Sequence, residues 1–235
     1  MSSVDRATDT ITVFAASDLV FAFGEIIPAF ESRSGAKVRA VFGSTGNLAL
    51  QIRHGAPADV FFAANADHID QLREAGVTEA GSHVQYARGR IALATRARSG
   101  LDLATLGGLA RPAVRKIAIA NPDHAPYGLA ARQALEHEGL WTALREKLVY
   151  AENIRQTLQF LQTDAVDAAI IALSIAGAPG IEHVLIDEAL HRPIDQFAAV
   201  VSASRHRALA RSFLGFVVGP EGKRMLRRFG FVVPS

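Results

Sequence analysis

The chain reads as an α/β protein built as two lobes. Two observations predict the class: short apolar, strand-like runs alternate with stretches whose apolar residues recur at helical spacing, and four of those runs stop at a small or polar residue where a helix begins at once. A third predicts the division, because the alternation comes as two units followed by a tail that holds only helices after its last strand. Such a tail needs an existing sheet to pack on.

Residues 11–15 form a buried strand, and 19–30 form a helix with Ser17 as its N-cap. Pro28 falls late in that helix and bends or shortens it. A strand over 37–42, a short helix over 48–53 ended by Gly55, a strand over 60–63 and a helix over 67–75 closed by Gly76 complete the first unit. The second starts with a strand over 90–95. It continues with a strand at 116–120, a helix at 128–137 ended by Gly139, a strand at 147–150, a helix at 154–162 and a wholly apolar strand at 168–173. Residues 183–186 and 197–202 are further strands, and 207–228 make two helices split by Gly219-Pro220-Glu221. The expected organisation is a first lobe from residues 1–86, a second from 87–192, and a segment 193–235 that returns to the first, with crossings near 85–90 and 190–195.

Composition bounds the function. At 235 residues each lobe can bury a core, and 49% hydrophobic with 20% charged residues is ordinary for a globular protein. No apolar stretch reaches the roughly 18–20 residues of a membrane span, so no membrane insertion is expected. The net charge is +2, and Lys223-Arg224 with Arg227-Arg228 lie at helical spacing on one solvated face without interleaved aromatics, so no nucleic-acid partner is expected. Cysteine is absent, which removes disulfides, zinc-thiolate sites and a thiol nucleophile. Residues 1–10 lack the apolar core of a secretory leader, as expected for a cytoplasmic chain or for a mature form given a new start.

The junctions Ala16-Ser17-Asp18, Gly43-Ser44-Thr45-Gly46, Pro122 through Gly128 and Glu152-Asn153-Ile154 carry the chemistry. The first helical turn has N–H groups without intrahelical partners and the positive end of the macrodipole, so each junction can hold an anion without lysine or arginine. Two such junctions in each half point to a cleft for a small oxyanion. Gly43 and Gly46 flank two hydroxyls and let backbone approach a bound group, but the segment lacks the lysine of a phosphate loop and the spacing of a dinucleotide fingerprint. Pro126 suits a first helical turn, while Glu152 and Asp123 would repel an anion and are read as capping or solvent-facing groups. No Gly-x-Ser-x-Gly elbow, zinc spacing or paired acid is legible, His124 is the single histidine at a junction, and no enzyme is expected.

From residue 11 nearly to its end the chain resembles the periplasmic molybdate-binding proteins of ATP-driven importers. The likeness is carried by Phe14-Ala15-Ala16-Ser17-Asp18-Leu19, by Phe42-Gly43-Ser44-Thr45-Gly46-Asn47-Leu48, by Gly55-Ala56-Pro57-Ala58-Asp59-Val60-Phe61, by Asn121 through Gly128, by Ala151-Glu152-Asn153-Ile154-Arg155-Gln156, and by Pro220-Glu221-Gly222 with Phe229-Gly230-Phe231. The resemblance implies two αβα lobes with mixed, mostly parallel sheets joined by two hinge strands, the type II periplasmic binding protein fold, closing on molybdate or tungstate. It implies hydroxyl and N–H donors from Ser17 and Ser44 and backbone N–H donors from Tyr127 and Ile154, with Ala16, Thr45 and Asn153 beside them. A fifth contact in such proteins is a tyrosine hydroxyl where this chain has Ala172, so Tyr127 is expected to supply the missing hydroxyl from across the cleft. The resemblance further implies no cofactor beyond the ligand, a membrane permease as partner, a monomer, and a periplasmic location after removal of a signal peptide. The competing reading is a binding protein for another small anion or organic acid; an effector-sensing lobe and an enzyme stand behind it.

Overall fold

Two five-stranded sheets organise the molecule, and each expected strand is present close to its expected bounds in the computed structural model, which describes residues 9–101 and 103–234. Residues 1–8, on which the reading of a secretory leader falls, lie outside the described residues. The first unit runs β1 (Thr10–Ala16), α1 (Val20–Ser34), β2 (Lys37–Gly43), α2 (Thr45–Arg53), β3 (Val60–Ala63), α3 (Ala66–Glu74) and β4 (Val84–Gly89). The second runs β5 (Ile91–Arg96), β6 (Ile117–Ala120), α4 (Pro126–His137), α5 (Trp141–Leu144), β7 (Leu148–Ala151), α6 (Ile154–Gln162), β8 (Ala168–Ala172), α7 (Leu173–Ala176) and β9 (Ile181–Leu185). Then β10 (Ile194–Val200), α8 (Arg207–Val218) and α9 (Pro220–Arg228) complete the fold.

The sheets have the same plan. In the first, ordered β2-β1-β3-β10-β4, β1 pairs in parallel with β2 and β3, while β10 runs antiparallel to β3 and β4. In the second, ordered β7-β6-β8-β5-β9, β6 pairs in parallel with β7 and β8, while β5 runs antiparallel to β8 and β9. Parallel and antiparallel pairings are thus equal in number, where strand–helix alternation implies a parallel majority. The cause is that β5 and β10 are the strands by which the chain changes sheet, and each returns against its new neighbours. Only Arg90 separates β4 in the first sheet from β5 in the second. The segment 85–90, expected as a crossing, is therefore paired strand as far as Gly89, with a bulge opposite it between Gln196 and Phe197.

Helix α1 passes through Pro28 and extends to Ser34, four residues beyond the expected end at Phe30. Proline removes one backbone hydrogen bond, but burial of Phe23, Ile26 and Phe30 against the sheet and against α8 holds the helix together. Phe213 of α8 sits among these rings, with centroids 5.8 Å from Phe23, 5.1 Å from Phe30 and 5.9 Å from Phe62, all edge-on. This is how the helical tail packs on the first sheet: Phe213, Leu226 and Phe231 share one core with Val13, Phe23 and Phe62. The other face of that sheet carries Phe14, Leu48, Phe61, Ile69 and Val201. A third core fills the second lobe and takes in Ala16, Ala64 and Ile194 from the first, so the lobes share apolar contact. Replacing Phe213 by alanine is expected to cost about 3–5 kcal/mol, read as a lowered midpoint in urea denaturation.

Candidate functional site

The carboxyl ends of the central strands converge on the gap between the lobes, as open α/β sheets favour. Parallel pairing sets Ala16 of β1 opposite Gly43 of β2, so Ser17 and Ser44 emerge from adjacent strand ends. In the second lobe Ala120 of β6 lies opposite Ala151 of β7, which brings the starts of α4 and α6 together. Both serines are 3% exposed, although serine is usually a surface residue.

Side chains reach across the gap. Ser17 Oγ donates to Asn153 Oδ1 at 3.3 Å and accepts from the Arg155 N–H at 3.4 Å. Ser44 Oγ lies 3.0 Å from His124 Nδ1, and the Gly46 N–H donates to the His124 carbonyl at 2.9 Å. Asn47 Nδ2 donates to Glu152 Oε1 at 2.5 Å, and Glu152 Oε2 is 3.8 Å from His124 Nε2. A cavity of about 370 Å³ is lined by Gly43, Ser44, Asn47, Glu152 and Asn153. A larger one, about 640 Å³, lies around Thr10, Thr12 and Asp59 at the opposite ends of the strands. There Asp59 accepts from the Thr12 N–H at 2.7 Å and from Ser204 Oγ at 2.5 Å, so the acid of the Gly55-to-Phe61 segment ties the start of β1 to the returning tail.

Beneath the serines sits a group that sequence reasoning passed over. Asp18 is fully buried, and its Oδ2 accepts from Tyr127 Oη and from Gln196 Nε2, each at 2.8 Å. Gln196 Nε2 also donates to Tyr127 Oη at 2.8 Å, and its Oε1 accepts from Tyr86 Oη at 2.5 Å. The Asp18 carbonyl accepts from Ser174 Oγ at 2.8 Å. These residues come from β4 and β10 of the first sheet and from α4 and α7 of the second lobe. The cluster needs Gly89, because a Cβ there would lie 2.1 Å from Tyr127 Oη. Burial pushes the Asp18 carboxyl up from 3.8 to about 6, against the lowering effect of the Gln196 and Tyr127 hydrogen bonds. It likewise raises the Tyr86 and Tyr127 hydroxyls well above the usual tyrosine value, with the Asp18 charge adding to the effect. The signal was present as an acid inside an otherwise apolar strand-to-helix turn.

The sequence-predicted residues fare differently. Asn153 caps α6, accepting from the Gln156 N–H at 3.1 Å, and Ile154 starts that helix. Ser17 does not cap its own helix; it opens a 3-10 turn over Ser17–Leu19, with Ala16 in the cap position and its hydroxyl turned toward the other lobe. Ser44 stands in the cap position of α2 without a capping bond, its hydroxyl on His124 instead. The Thr45 hydroxyl accepts from the Ala64 N–H at 3.0 Å within its own lobe. Tyr127 lies in the first turn of α4 behind Pro126, but its hydroxyl is held by Asp18 and Gln196, which overturns the expectation that it reaches into the cleft in place of a missing tyrosine. Ala172 is the buried last residue of β8, paired with Ile91, and its methyl offers no hydrogen bond. Among the described residues no cluster of three His, Asp or Glu side chains could hold a metal ion, and no helix is long and apolar enough to cross a membrane.

Residues 11–232 match the family described as bacterial extracellular solute-binding protein. This chain belongs to that family. The molybdate-binding protein ModA of Azotobacter vinelandii is 32% identical over 228 residues, covering 94% of this chain and 89% of that protein. The molybdate-binding protein ModA of Rhodobacter capsulatus is 31% identical over 209 residues, covering 88% and 82%. The solved structure of the Azotobacter vinelandii periplasmic molybdate-binding protein superposes with a TM-score of 0.89 at 30% identity, covering 96% of this chain and all of that one. The two mixed sheets of this solute-binding protein are therefore the fold of that family, and its cleft lies where the strand ends of both lobes meet.

Because the folded state raises the Asp18 pKa, it binds a proton that the unfolded chain releases. The associated stability is present below about pH 4 and is lost as pH rises through about 6. Asp18→Asn is thus expected to be near neutral at pH 4 and stabilising by about 2–3 kcal/mol at pH 8, measured by denaturant titration at both pH values.

Proposed function

We propose that this protein captures a tetrahedral oxyanion, molybdate or tungstate, between its lobes and delivers it to the membrane permease of an ATP-driven importer. The observation that carries the reading is the meeting of Ser17 and Ser44 from one lobe with Asn153 and His124 from the other, at 3.3 and 3.0 Å. The relatives named as molybdate-binding support the choice of ion. The contacts proposed are the hydroxyls and N–H groups of Ser17 and Ser44 and the backbone N–H groups of Tyr127 and Ile154, with Ala16, Thr45, Asn153 and Ala172 lining the site. These groups would touch the oxo atoms and never the metal. Neutral donors suit an ion of fixed charge, since they neither gain nor lose protons and leave cavity size to separate molybdate and tungstate from the smaller sulfate.

Burying a bare dianion costs far more than one contact returns, so donors must come from both lobes at once. A hydrogen bond to a charged acceptor contributes about 1.5–3 kcal/mol, against about 0.5–1.5 for the neutral Ser17–Asn153 contact it would replace. Closure then follows from the ion's preference for the state in which the donors meet. The bodies that move are proposed to be residues 1–86 with 193–235, and residues 87–192, hinged at the two strand crossings. The protein is proposed to act in the periplasm as a monomer, without a cofactor and without a catalytic step.

Molybdate and tungstate at about 100 times their dissociation constants are expected to stabilise the fold by about 2.7 kcal/mol, seen as a rise of several degrees in Tm, while sulfate has no effect. In calorimetric titration, Ser17→Ala and Ser44→Ala are each expected to weaken molybdate about 10- to 100-fold. No response to either metal oxyanion would overturn the proposal.

A further inference from the structure

We propose that Asp18 couples anion capture to proton uptake: a doubly charged oxyanion enters this cleft together with one proton, which goes to the Asp18 carboxylate. The inference rests on the oxyanion reading above. Its basis is placement. Asp18 follows Ser17 directly, and its Oδ2 holds the hydroxyl of Tyr127, whose own N–H is a proposed contact. A carboxylate therefore touches or adjoins two of the groups that would face the ion. It is fully buried, and its Oδ1 has no hydrogen-bond partner.

No cationic side chain neutralises the charge, which is met only by neutral donors: Gln196, Tyr127 and the backbone N–H groups of Asp18 and Leu19. From β4 it meets Tyr86 through Gln196, from β10 Gln196 itself, from α4 Tyr127, and from α7 the hydroxyl of Ser174. Helices α1 and α6 and strand β2 also pack on this turn. Their charged groups are directed elsewhere: Lys37, Arg39 and Arg155 are exposed, Glu25 pairs with Arg228, Glu31 with Lys37, and Arg33 with Glu221. Arg88 of β4 is paired with Asp195 of β10, Arg90 with Glu188, Arg132 of α4 with Glu136, and His124 faces Glu152 at the mouth. An ionised Asp18 would thus oppose a dianion at short range in a medium that screens poorly.

Protonation removes that opposition. One proton leaves the solvent or buffer, an O–H bond forms at Asp18 Oδ1, and no bond of the oxyanion is made or broken. Oδ2 already accepts from two side chains and Oδ1 from none, so Oδ1 is the oxygen left to take it. Burial that lifts this carboxyl to about 6 agrees: near neutral pH the empty protein is mostly ionised there, yet close enough to its midpoint for the ion to draw a proton in.

The test is calorimetric titration with molybdate between pH 5.5 and 8.5 in buffers of different ionisation enthalpy. The expected result is uptake approaching one proton per molybdate near pH 7.5, with affinity falling about tenfold per pH unit above pH 6 until the bound state's own midpoint is reached. Asp18→Asn is expected to abolish both effects and to bind molybdate more tightly than the parent chain at pH 8. A residue that only shaped the site would change affinity without changing proton uptake. Molybdate binding by the parent chain without proton uptake, or proton uptake retained in Asp18→Asn, overturns the inference. If the variant does not fold, the parent chain's buffer dependence decides alone. Absence of molybdate binding at every pH instead overturns the oxyanion reading on which the inference rests.

Discussion

Peptide N–H groups and serine hydroxyls at the start of a helix are the donors that these strand-to-helix junctions offer without a cationic side chain, and each is weak beside the desolvation of a small anion. In the proposed oxyanion reading, that imbalance is why the strand ends of two separate sheets meet. One sheet supplies the turns after β1 and β2, the other those after β6 and β7. Either pair alone would leave the ion half hydrated. The two lobes are joined through β4, β5 and β10, with Arg90 as the single residue between β4 and β5, and in the proposed reading such donors part and meet again about these crossings.

The same gap is crossed below by a buried polar cluster. Tyr86, Gln196, Asp18 and Tyr127 satisfy one another's donors, and Gly89 leaves room for the Tyr127 hydroxyl. Its cost is visible in the Asp18 carboxyl, raised by burial and left with one oxygen unpartnered. Its effect is to hold the first turn of α4 against the turn after β1, which sets where the Tyr127 N–H lies relative to Ser17. An acid so close to the proposed anion donors would make charge, as well as size, a property of that site.

Most of the fold was legible because local signals agree with it. Apolar runs ended by glycine or by a polar junction marked β1, β2, β3, β6, β7 and β8, and the helical spacing of the tail marked α8 and α9. β4 was read as a connection because Val84–Gly89 has no distinctive period, and its strand character comes from pairing with β10, more than a hundred residues away. Pro28 was read as bending or shortening α1 because the packing of Phe23 and Phe30 onto Phe213 is invisible in a local window. In the site, Asn153 was legible as a cap, since a cap is a bond to a residue three positions on. The partners of Ser17, Ser44 and Tyr127 lie 136, 80 and 109 residues distant and were not legible.

The order of strands and helices, the four junctions and the absence of cationic side chains from them are written in the sequence, because each depends on neighbours within one or two helical turns. What only the tertiary structure decided is the partner of each polar group: Ser17 turned to Asn153 instead of its own helix, Tyr127 bound to Asp18 instead of facing the cleft, and Asp18 sealed from water. A hydroxyl or carboxylate has several bonds open to it at similar free energy. The choice among them is made by which strands happen to end beside it.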